Sequence, residues 1–340
     1  MSRLEFEFTD HALHFPRLRL WFDAHRRRRA GELVFVSHAH SDHTARHAEV
    51  LLSAPTQKLM AARLGGRRQE HVLPFGDRCD LREERFGVPR EAHATLLPAG
   101  HILGSAMIRL EADGESLLYT GDFKLRAGFF AEPCTPAAAD VLVMETTFGR
   151  PRYVFPPADE TRAAVADFCR RTLAESQVPV LLGYSLGKAQ EIQRALGSCG
   201  FPTMVHDSIA RLNAVYTELG HPVPETVPWN PARAAGHVVL APPGAALAAL
   251  RRAQAVRVAV LTGWALDPGC RFRHGADAAF PLSDHADYPD LLAFVEKVAP
   301  RRIYTLHGFA GEFATVLRRR GHDARALTEI DQFELALGPV

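Results

Sequence analysis

The segment Ser37–His43 reads Ser-His-Ala-His-Ser-Asp-His and contains four side chains that can bind metal ions. His38 and His40 lie two residues apart in an extended segment, so their imidazoles point to the same side. Asp42 and His43 come where the chain turns towards a helix, and they can serve a second ion. Imidazole and carboxylate ligands suit zinc, and also manganese or iron. The pattern H-x-H-x-D-H after a buried strand is too demanding for an ordinary polar turn, and it predicts a metal site.

A site for two metal ions needs further ligands from elsewhere in the chain. The candidates follow three other predicted strands, and they are His101, Asp122 and His307. Each lies beside a glycine, where the backbone can approach a crowded site closely. A single histidine near a strand end is more often structural. It is the combination of these three residues with the first motif that favours a metal-binding role.

The elements that must position these residues change in character along the chain. Up to about residue 150, short apolar runs predict strands, with one helix at about 56–64. From about residue 158, helices and strands alternate, which predicts a small parallel sheet flanked by helices. A helix at about 244–253 belongs to this alternating region. After about residue 280, a helix, a strand and a second helix complete the pattern.

The composition of the 340 residues is that of a soluble globular protein. The chain has no apolar run of the ~20 residues that a membrane helix needs, and it has no signal peptide pattern, so we expect a cytoplasmic protein without a membrane partner. Its five cysteines are scattered without a C-x-x-C pair, which argues against a disulfide framework and a cysteine-based zinc site. The net charge of +1 means that any nucleic-acid binding must use local patches, such as Arg26–Arg29, which would contact backbone phosphates without reading sequence.

The runs around the candidate ligands resemble signatures of the metallo-β-lactamase superfamily. These runs are His-Ala-His-Ser-Asp-His at 38–43, Gly-His-Ile-Leu-Gly-Ser-Ala at 100–106 and Thr-Gly-Asp-Phe at 120–123. Glu145, His285 and His307 resemble the three additional signatures of the β-CASP nucleases within that superfamily. Those nucleases carry an inserted cassette between the first and second additional signatures. The region at 150–280, where the pattern changes to alternating helices and strands, falls in that interval.

The resemblance implies an α/β fold, in which a metallo-β-lactamase αββα sandwich carries an inserted β-CASP domain with a parallel sheet flanked by helices. It assigns residues 1–152 to the first part of the metallo-β-lactamase domain, 153–280 to the inserted domain and 281–340 to the return into the first domain. It also implies that the metal site lies between the two lobes.

The resemblance implies two divalent metal ions, which we expect to be zinc, with manganese as the alternative. One ion takes His38, His40 and His101, the other takes Asp42, His43 and His307, and Asp122 bridges the two. Asp23 resembles an early aspartate that supports the first motif from behind, although a turn residue at the end of a strand would look the same.

The chemistry implied is hydrolysis of a phosphodiester bond by a hydroxide that two metal ions activate, with Asp42 and Asp122 as catalytic carboxylates. His285 is our candidate for the general acid that protonates the leaving oxygen, and Glu145 is the carboxylate that would orient it. The surrounding Ser-Asp-His-Ala-Asp also fits the polar start of a helix.

Gly183–Gly187 fits the pattern G-x-S-x-G between a strand and a helix, which is the context of a serine-hydrolase nucleophile. His307, with Asp267 or Asp277, could complete a triad with Ser185. This remote alternative leaves the three metal-binding runs unexplained. We interpret the segment instead as part of a phosphate-binding site, whose predicted contacts are Ser185, Lys188 and Ser283.

Among β-CASP proteins, the chain most resembles bacterial ligase-associated DNA exonucleases and RNA 3′-end processing factor-like proteins. The runs Tyr-Ser-Leu-Gly-Lys-Ala-Gln at 184–190 and Ser-Asp-His-Ala-Asp-Tyr-Pro-Asp at 283–290 carry this resemblance, whereas Leu306 stands where we expect a threonine. The resemblance implies a DNA exonuclease that acts in DNA repair with a DNA ligase or helicase as partner. The alternative is an RNA-processing exo- or endoribonuclease, with RNA as the nucleic acid bound.

Overall fold

The computed structural model describes residues 4–245 and 247–327, and these residues form two compact units. The second unit spans Arg152–Asp284, and the first is built from the chain before and after it. The predicted α/β fold class is confirmed, because each unit combines sheets with packed helices. The identity of the second unit as a β-CASP domain, with the boundaries predicted above, stays a prediction.

The first part of the first unit contains eleven described strands and one α-helix. The strands are β1 (Glu7–Thr9), β2 (Ala12–Phe15), β3 (Leu20–Phe22), β4 (Leu33–Phe35), β5 (Glu49–Leu52), β6 (Gln69–Val72), β7 (Arg78–Asp80), β8 (Ala92–Pro98), β9 (Ala106–Ala112), β10 (Glu115–Tyr119) and β11 (Val141–Glu145). Helix α1 (Ala54–Leu64) follows β5, and the hydroxyl of Ser53 caps it by accepting a hydrogen bond from the N–H of Thr56.

The second unit continues with alternating helices and strands. Its helices are α2 (Ala158–Ala174), α3 (Lys188–Ser198), α4 (Asp207–Glu218), α5 (Ala248–Ala253) and α6 (Cys270–Arg273). Its strands are β12 (Val178–Leu182), β13 (Thr203–Val205), β14 (Val227–Pro228), β15 (Val238–Ala241), β16 (Val256–Leu261) and β17 (Ala278–Phe280). The chain then returns to the first unit with α7 (Tyr288–Val298), β18 (Arg302–Leu306), α8 (Ala310–Arg319) and β19 (Ala324–Ala326).

Two sheets pack face to face in the first unit. One has the strand order β1 to β6, and the other has the order β19-β18-β11-β10-β9-β8-β7. Phe22 and Phe35 from the first sheet share a buried core with Leu96, Tyr119 and Val143 from the second. On the opposite face of the second sheet, helices α7 and α8 bury apolar side chains against β10 and β11.

The strand directions bring the ends of four strands to one edge of the second sheet. Strands β10, β11 and β18 are parallel, and β8 runs in the same direction because β9 pairs antiparallel with both β8 and β10. The segments that follow β8, β10, β11 and β18 therefore leave the sheet at the same edge. The candidate residues after these strands are thereby brought together, although they are far apart in sequence.

The sheet of the second unit is entirely parallel, in the order β14-β13-β15-β12-β16-β17. Its strands are almost continuous runs of valine, leucine and alanine, as expected for a sheet with both faces covered. Helices α2, α3 and α4 bury apolar side chains against one face, and α5 and α6 against the other.

The elements that sequence patterns do not predict are mainly short strands. Strands β6, β7 and β19 contain polar residues and lack an apolar run. The helix predicted at about 244–253 begins only at Ala248, after Pro242, Pro243 and Gly244, which favour a turn. None of the helices within 4–245 and 247–327 is long and apolar enough to cross a membrane.

Candidate metal centre

Three histidines and one aspartate meet at the edge of the second sheet. Nε2 of His38 lies 3.0 Å from Nδ1 of His40, which in turn lies 3.1 Å from Nε2 of His101. Oδ2 of Asp122 lies 3.6 Å from Nε2 of His38 and 3.8 Å from Nε2 of His101. Ligands about 2.0–2.1 Å from a tetrahedral zinc ion are separated from one another by about 3.3–3.4 Å. These four side chains therefore fit a single divalent metal ion.

The hydrogen bonds around Ser37 determine which nitrogen of His38 faces this centre as an acceptor. The hydroxyl of Ser37 donates its only proton to Oδ2 of Asp23 over 2.6 Å. Ser37 Oγ must then accept the hydrogen bond that joins it to Nδ1 of His38 over 2.9 Å. Because Nδ1 of the neutral His38 ring carries the proton, Nε2 presents its lone pair to the metal centre.

Asp23 organises the first motif from behind. Its Oδ1 accepts from the N–H of Ser37 at 2.7 Å, and its Oδ2 accepts from Nδ1 of His43 and from the hydroxyl of Tyr119, both at 2.9 Å. Asp23 is only 2% exposed, so its charge depends on these four donors, the Ser37 hydroxyl included. His43 is thereby held with Nε2 directed towards Asp122, whose Oδ2 lies 3.4 Å away.

The side chains predicted to bind the second ion, Asp42, His43 and His307, lie farther apart than those predicted for the first. The ring centroids of His43 and His307 are 5.9 Å apart, and Asp42 is exposed. Within the described residues, two groups have ligand atoms that all lie within 4.8 Å of one another. They are His38, His40, His101 and Asp122, and then Asp122, Glu145 and His285. Asp42, His43 and His307 belong to neither group, so their assignment to a second ion stays a prediction.

The buried charges of the centre are linked through Asp122. Burial favours the neutral carboxyl group of Asp122, but attraction to His43 and His285 outweighs it and holds the pKa of Asp122 well below its usual range. Burial likewise opposes the charged form of His43, yet the carboxylates of Asp122 and Asp23 raise the pKa of that imidazole well above its usual value. At His38, burial and the neighbouring imidazoles lower the pKa. Burial also lowers the pKa of His307.

His285 is joined to Glu145 beside the centre. Nδ1 of His285 lies 2.9 Å from Oε1 of Glu145, a carboxylate that is fully buried at the end of β11. Glu145 also accepts from the N–H groups of Phe123 and Thr147, at 3.0 and 3.2 Å. Both carboxylate oxygens of Glu145 therefore accept hydrogen bonds, and its role as the residue that orients His285 stays a prediction. The His285 ring packs 4.7 Å from the His101 ring, between centroids.

The backbone is constrained where it supports these side chains. Asp23 and His307 adopt φ angles of +48° and +59°, which are uncommon for residues other than glycine. Gly121 has φ of +52°, and a Cβ atom there would lie 2.6 Å from Cβ of Ser37. Gly308 has φ of +58°, and a Cβ atom there would lie 2.4 Å from Cα of Thr147. Only glycine allows the chain beside Asp122 and His307 to approach this closely.

The predicted phosphate contacts all lie in the second unit. Nζ of Lys188 donates to the carbonyl of Leu282 at 2.6 Å and forms an ion pair with Asp284 at 2.8 Å, and both charged side chains are buried. Ser283 is also buried. The ammonium group of Lys188 thus has partners within the unit, and its role as a phosphate contact stays a prediction.

Ser185 lies between β12 and α3, as the G-x-S-x-G pattern predicts. Its hydroxyl is 2.8 Å from that of Ser208, which is 2.9 Å from Nδ1 of His206. His206 also accepts from the N–H of Ser208 at 3.2 Å, as part of the cap of α4. The described partner of Ser185 is therefore a hydroxyl group, and a serine–histidine pair of the hydrolase type is not formed within this unit.

Two residues of the centre are not identified by sequence reasoning, namely Ser37 and Tyr119. Ser37 is visible as part of the first motif, but its role depends on a hydroxyl group shared with Asp23. Tyr119 ends β10, and its hydroxyl reaches Asp23 across 96 positions of sequence. Strand alternation could have indicated that this tyrosine faces the core between the sheets.

Residues 278–326 match the family model RMMBL, described as the Zn-dependent metallo-hydrolase RNA specificity domain. A "Probable DNA ligase" of Opitutus terrae is 51% identical over 329 residues, which cover 96% of this chain and 31% of that protein. The "5′ exonuclease Apollo" of Gallus gallus is 34% identical over 171 residues, covering 48% of this chain and 36% of the relative. An "RNase J-like protein" of Methanocaldococcus jannaschii is 29% identical over 181 residues, covering 48% and 43% respectively.

The chain spans less than half the length of each of these three curated relatives. Among solved structures, a protein of unknown function from Enterococcus faecalis superposes with a TM-score of 0.56 at 14% identity. The superposition covers 87% of this chain and 79% of the other. At this identity the likeness concerns the fold alone.

Proposed function

The chain belongs to the metallo-β-lactamase superfamily, in its β-CASP branch, and on that basis we propose that it is a metal-dependent nuclease that hydrolyses phosphodiester bonds. The observation that carries this proposal is the position of the His285–Glu145 pair beside the cluster of His38, His40, His101 and Asp122. A metal-binding cluster next to an oriented imidazole provides both parts that phosphodiester hydrolysis needs.

The family implies a divalent metal cofactor, and we propose two ions, zinc or alternatively manganese. His38, His40 and His101 would hold one, and Asp42, His43 and His307 the other, with Asp122 shared between them. Bound divalent ions make a water molecule acidic enough to act as a nucleophile and stabilise the negative charge that develops on phosphate oxygens. The first of these two sites is supported by the lone pair of His38 Nε2 and by the closeness of this nitrogen to His40 Nδ1, 3.0 Å away.

The protein's own residues would handle the proton that the reaction needs. As the phosphorus–oxygen bond breaks, the leaving oxygen takes the electron pair and needs a proton. Glu145 engages Nδ1 of His285, so proton donation would use Nε2 of the same ring. The hydrogen bond to the Glu145 carboxylate would fix the plane of the ring.

We propose DNA as the substrate and exonuclease action in DNA repair. The names of two relatives, a probable DNA ligase and a 5′ exonuclease, support this choice. The first name also supports a DNA ligase as partner, whereas a helicase as partner rests on the family resemblance alone. RNA processing is the second candidate. It is favoured by the RNA specificity domain that matches residues 278–326 and by the RNase J-like relative.

A cleavage assay on end-labelled DNA and RNA, single- and double-stranded, with Zn²⁺ and Mn²⁺ compared, tests this proposal. We expect metal-dependent cleavage of DNA that releases short products from one end and is lost in Asp122→Asn. Faster cleavage of RNA than of DNA would establish the second candidate. Absence of cleavage of any of these substrates with either metal would overturn the nuclease assignment.

A further inference from the structure

Two segments of the first unit that carry the reacting side chains are fastened to each other. The N–H of Ala286, next to His285, donates to the carbonyl of Phe123, next to Asp122, over 2.8 Å. One residue further along, the N–H of Lys124 donates to the carbonyl of Ala99 at 2.9 Å, which ties the same segment to the loop of His101. The segment that follows Asp122 thus connects the metal-binding cluster to His285.

A side-chain contact strengthens this connection. The guanidinium group of Arg126 forms an ion pair with Oδ2 of Asp287 and lies 3.2 Å from a carboxylate oxygen of Asp290. The side chain of Asp287 is fully buried, whereas that of Arg126 is 37% exposed. Oδ1 of Asp287 caps helix α7 by accepting from the N–H of Asp290 at 3.1 Å. One buried carboxylate therefore both begins the helix and receives the arginine.

Loss of Arg126 would remove the guanidinium group with which the buried Asp287 carboxylate forms its ion pair. A buried carboxylate that loses its partner is strongly destabilised. It is relieved either by taking up a proton or by a movement of its segment towards water. His285 lies two residues before Asp287, so such a movement would change the position of the imidazole. The metal-binding side chains at 38–43 lie on another segment, which Asp23 holds through Ser37 and His43.

We propose that Arg126 is a positioning residue for proton transfer, which holds His285 at the leaving oxygen through Asp287. This inference rests on the proposed nuclease function. It separates two groups of residues in the first unit. Asp23 holds His38 and His43, and Arg126 holds the proton donor.

The test compares ordinary DNA with DNA in which the leaving oxygen is replaced by sulfur, using both 3′- and 5′-bridging substitutions. A thiolate leaves without needing a proton, so it bypasses the general acid. For Arg126→Ala we expect kcat on ordinary DNA to fall about 10- to 100-fold. This is at or below the lower end of the about 10²- to 10⁴-fold that a general acid contributes, because the imidazole is displaced and not removed. KM, metal content and the rate on the sulfur-substituted DNA should stay close to those of the unchanged protein. Arg126→Lys should recover most of the lost kcat, because it restores a cation to Asp287.

Arg302→Ala is the matched control. Arg302 forms an ion pair with Glu115 in the same unit, and both side chains are similarly half-buried. Arg302 begins β18, at the end of the strand opposite to His307. The free energy of unfolding of Arg302→Ala should fall about as much as that of Arg126→Ala. Its rates on ordinary and on sulfur-substituted DNA, however, should change by the same factor. When Arg126→Ala is added to His285→Ala, kcat on ordinary DNA should fall little further, because both changes impair the same proton-transfer step.

Equal losses on both substrates, no loss on either, or additive losses with His285→Ala would overturn the role of Arg126. In each of these results the unchanged protein cleaves DNA, so the nuclease function would stand. Absence of cleavage by the unchanged protein would instead overturn the proposed function, and this inference with it.

Discussion

Oδ2 of Asp23 accepts a hydrogen bond from Nδ1 of His43 over 2.9 Å. The same oxygen also accepts a hydrogen bond from the hydroxyl of Ser37, and Ser37 Oγ in turn accepts one from Nδ1 of His38. One buried carboxylate thus sets the orientation of two histidines, one for each proposed ion. Partners behind metal-binding histidines commonly contribute about 10- to 100-fold to metal affinity. The supporting role that the resemblance implied for Asp23 is consistent with this geometry.

Asp23→Asn tests this role. The amide keeps the size of the side chain but brings an N–H₂ group against donors, so the orientation of His38 and His43 is no longer favoured. We expect zinc affinity to fall about 10- to 100-fold, measured by competition with a chromogenic chelator. Asp113→Asn is a suitable control, because Asp113 also has a positive φ angle and pairs with Arg90 at the surface. Unchanged zinc affinity in Asp23→Asn would show that Asp23 is a turn residue only.

Metal removal and the loss of a proposed ligand should have the same effect. We expect the purified protein to contain about two transition-metal ions. A chelator should abolish nuclease activity, and added Zn²⁺ or Mn²⁺ should restore it. Asp122→Asn and His40→Ala should abolish cleavage with the fold retained, as monitored by circular dichroism. A metal-free preparation with full activity, or cleavage retained in either variant, would contradict the ligand assignment.

The parts of this structure that follow from sequence are those encoded in short segments. His38 and His40 can be placed together because two residues of extended chain separate them. The meeting of His101 and Asp122 with them is implied by the family resemblance, because His38 and His40 follow a strand of the other sheet. The polar strand at Gln69–Val72 is not predictable in this way, because it lacks the apolar run on which strand prediction depends.

Long-range pairing of charged side chains could not be predicted in the same way. The sequence favours Lys188 as a phosphate contact at a helix start, whereas the structure places its ammonium group on the carbonyl of Leu282, 94 residues further along the chain. The pairing of Arg126 with Asp287 spans 161 residues. No local pattern distinguishes an arginine that holds a buried carboxylate from one that contacts solvent, because the distinction lies in the tertiary structure.

Ser185→Ala separates the nuclease from the serine-hydrolase alternative. If Ser185 contacts substrate phosphate and is not a nucleophile, the variant should keep its metal ions. It should lose part of its affinity for DNA, with KM raised severalfold. Esterase activity on a short nitrophenyl ester should be negligible before and after the change. Substantial esterase activity that disappears in Ser185→Ala while the metal stays bound would revive the hydrolase alternative. Ser198→Ala, at the exposed end of α3, is the control.

The basic segment Arg26–Arg29 gives a prediction about salt dependence. His25 precedes it, and the His25 ring lies 6.4 Å from the His43 ring, between centroids. Arg28 is stacked on Trp21 with its guanidinium carbon 3.5 Å from the ring centroid, whereas Arg26, Arg27 and Arg29 are exposed. Arg28 and Arg26 also form ion pairs with Asp10, at 3.2 and 3.1 Å. The segment is therefore anchored mainly by Arg28 and exposes its other three arginines beside the metal centre.

We expect these three exposed arginines to bind DNA phosphates. Removing one arginine–phosphate interaction lowers the slope of log affinity against log salt by about 0.9 for double-stranded DNA. Replacing Arg26, Arg27 and Arg29 by serine should therefore reduce that slope by up to about 3 units and raise KM at low salt, with kcat nearly unchanged. The control replaces Arg318, Arg319 and Arg320, at the end of α8, by serine. If Arg26–Arg29 binds phosphates and Arg318–Arg320 does not, the slope of log affinity against log salt should differ between the two triple variants. Equal slopes would show that Arg26–Arg29 is a solvated surface.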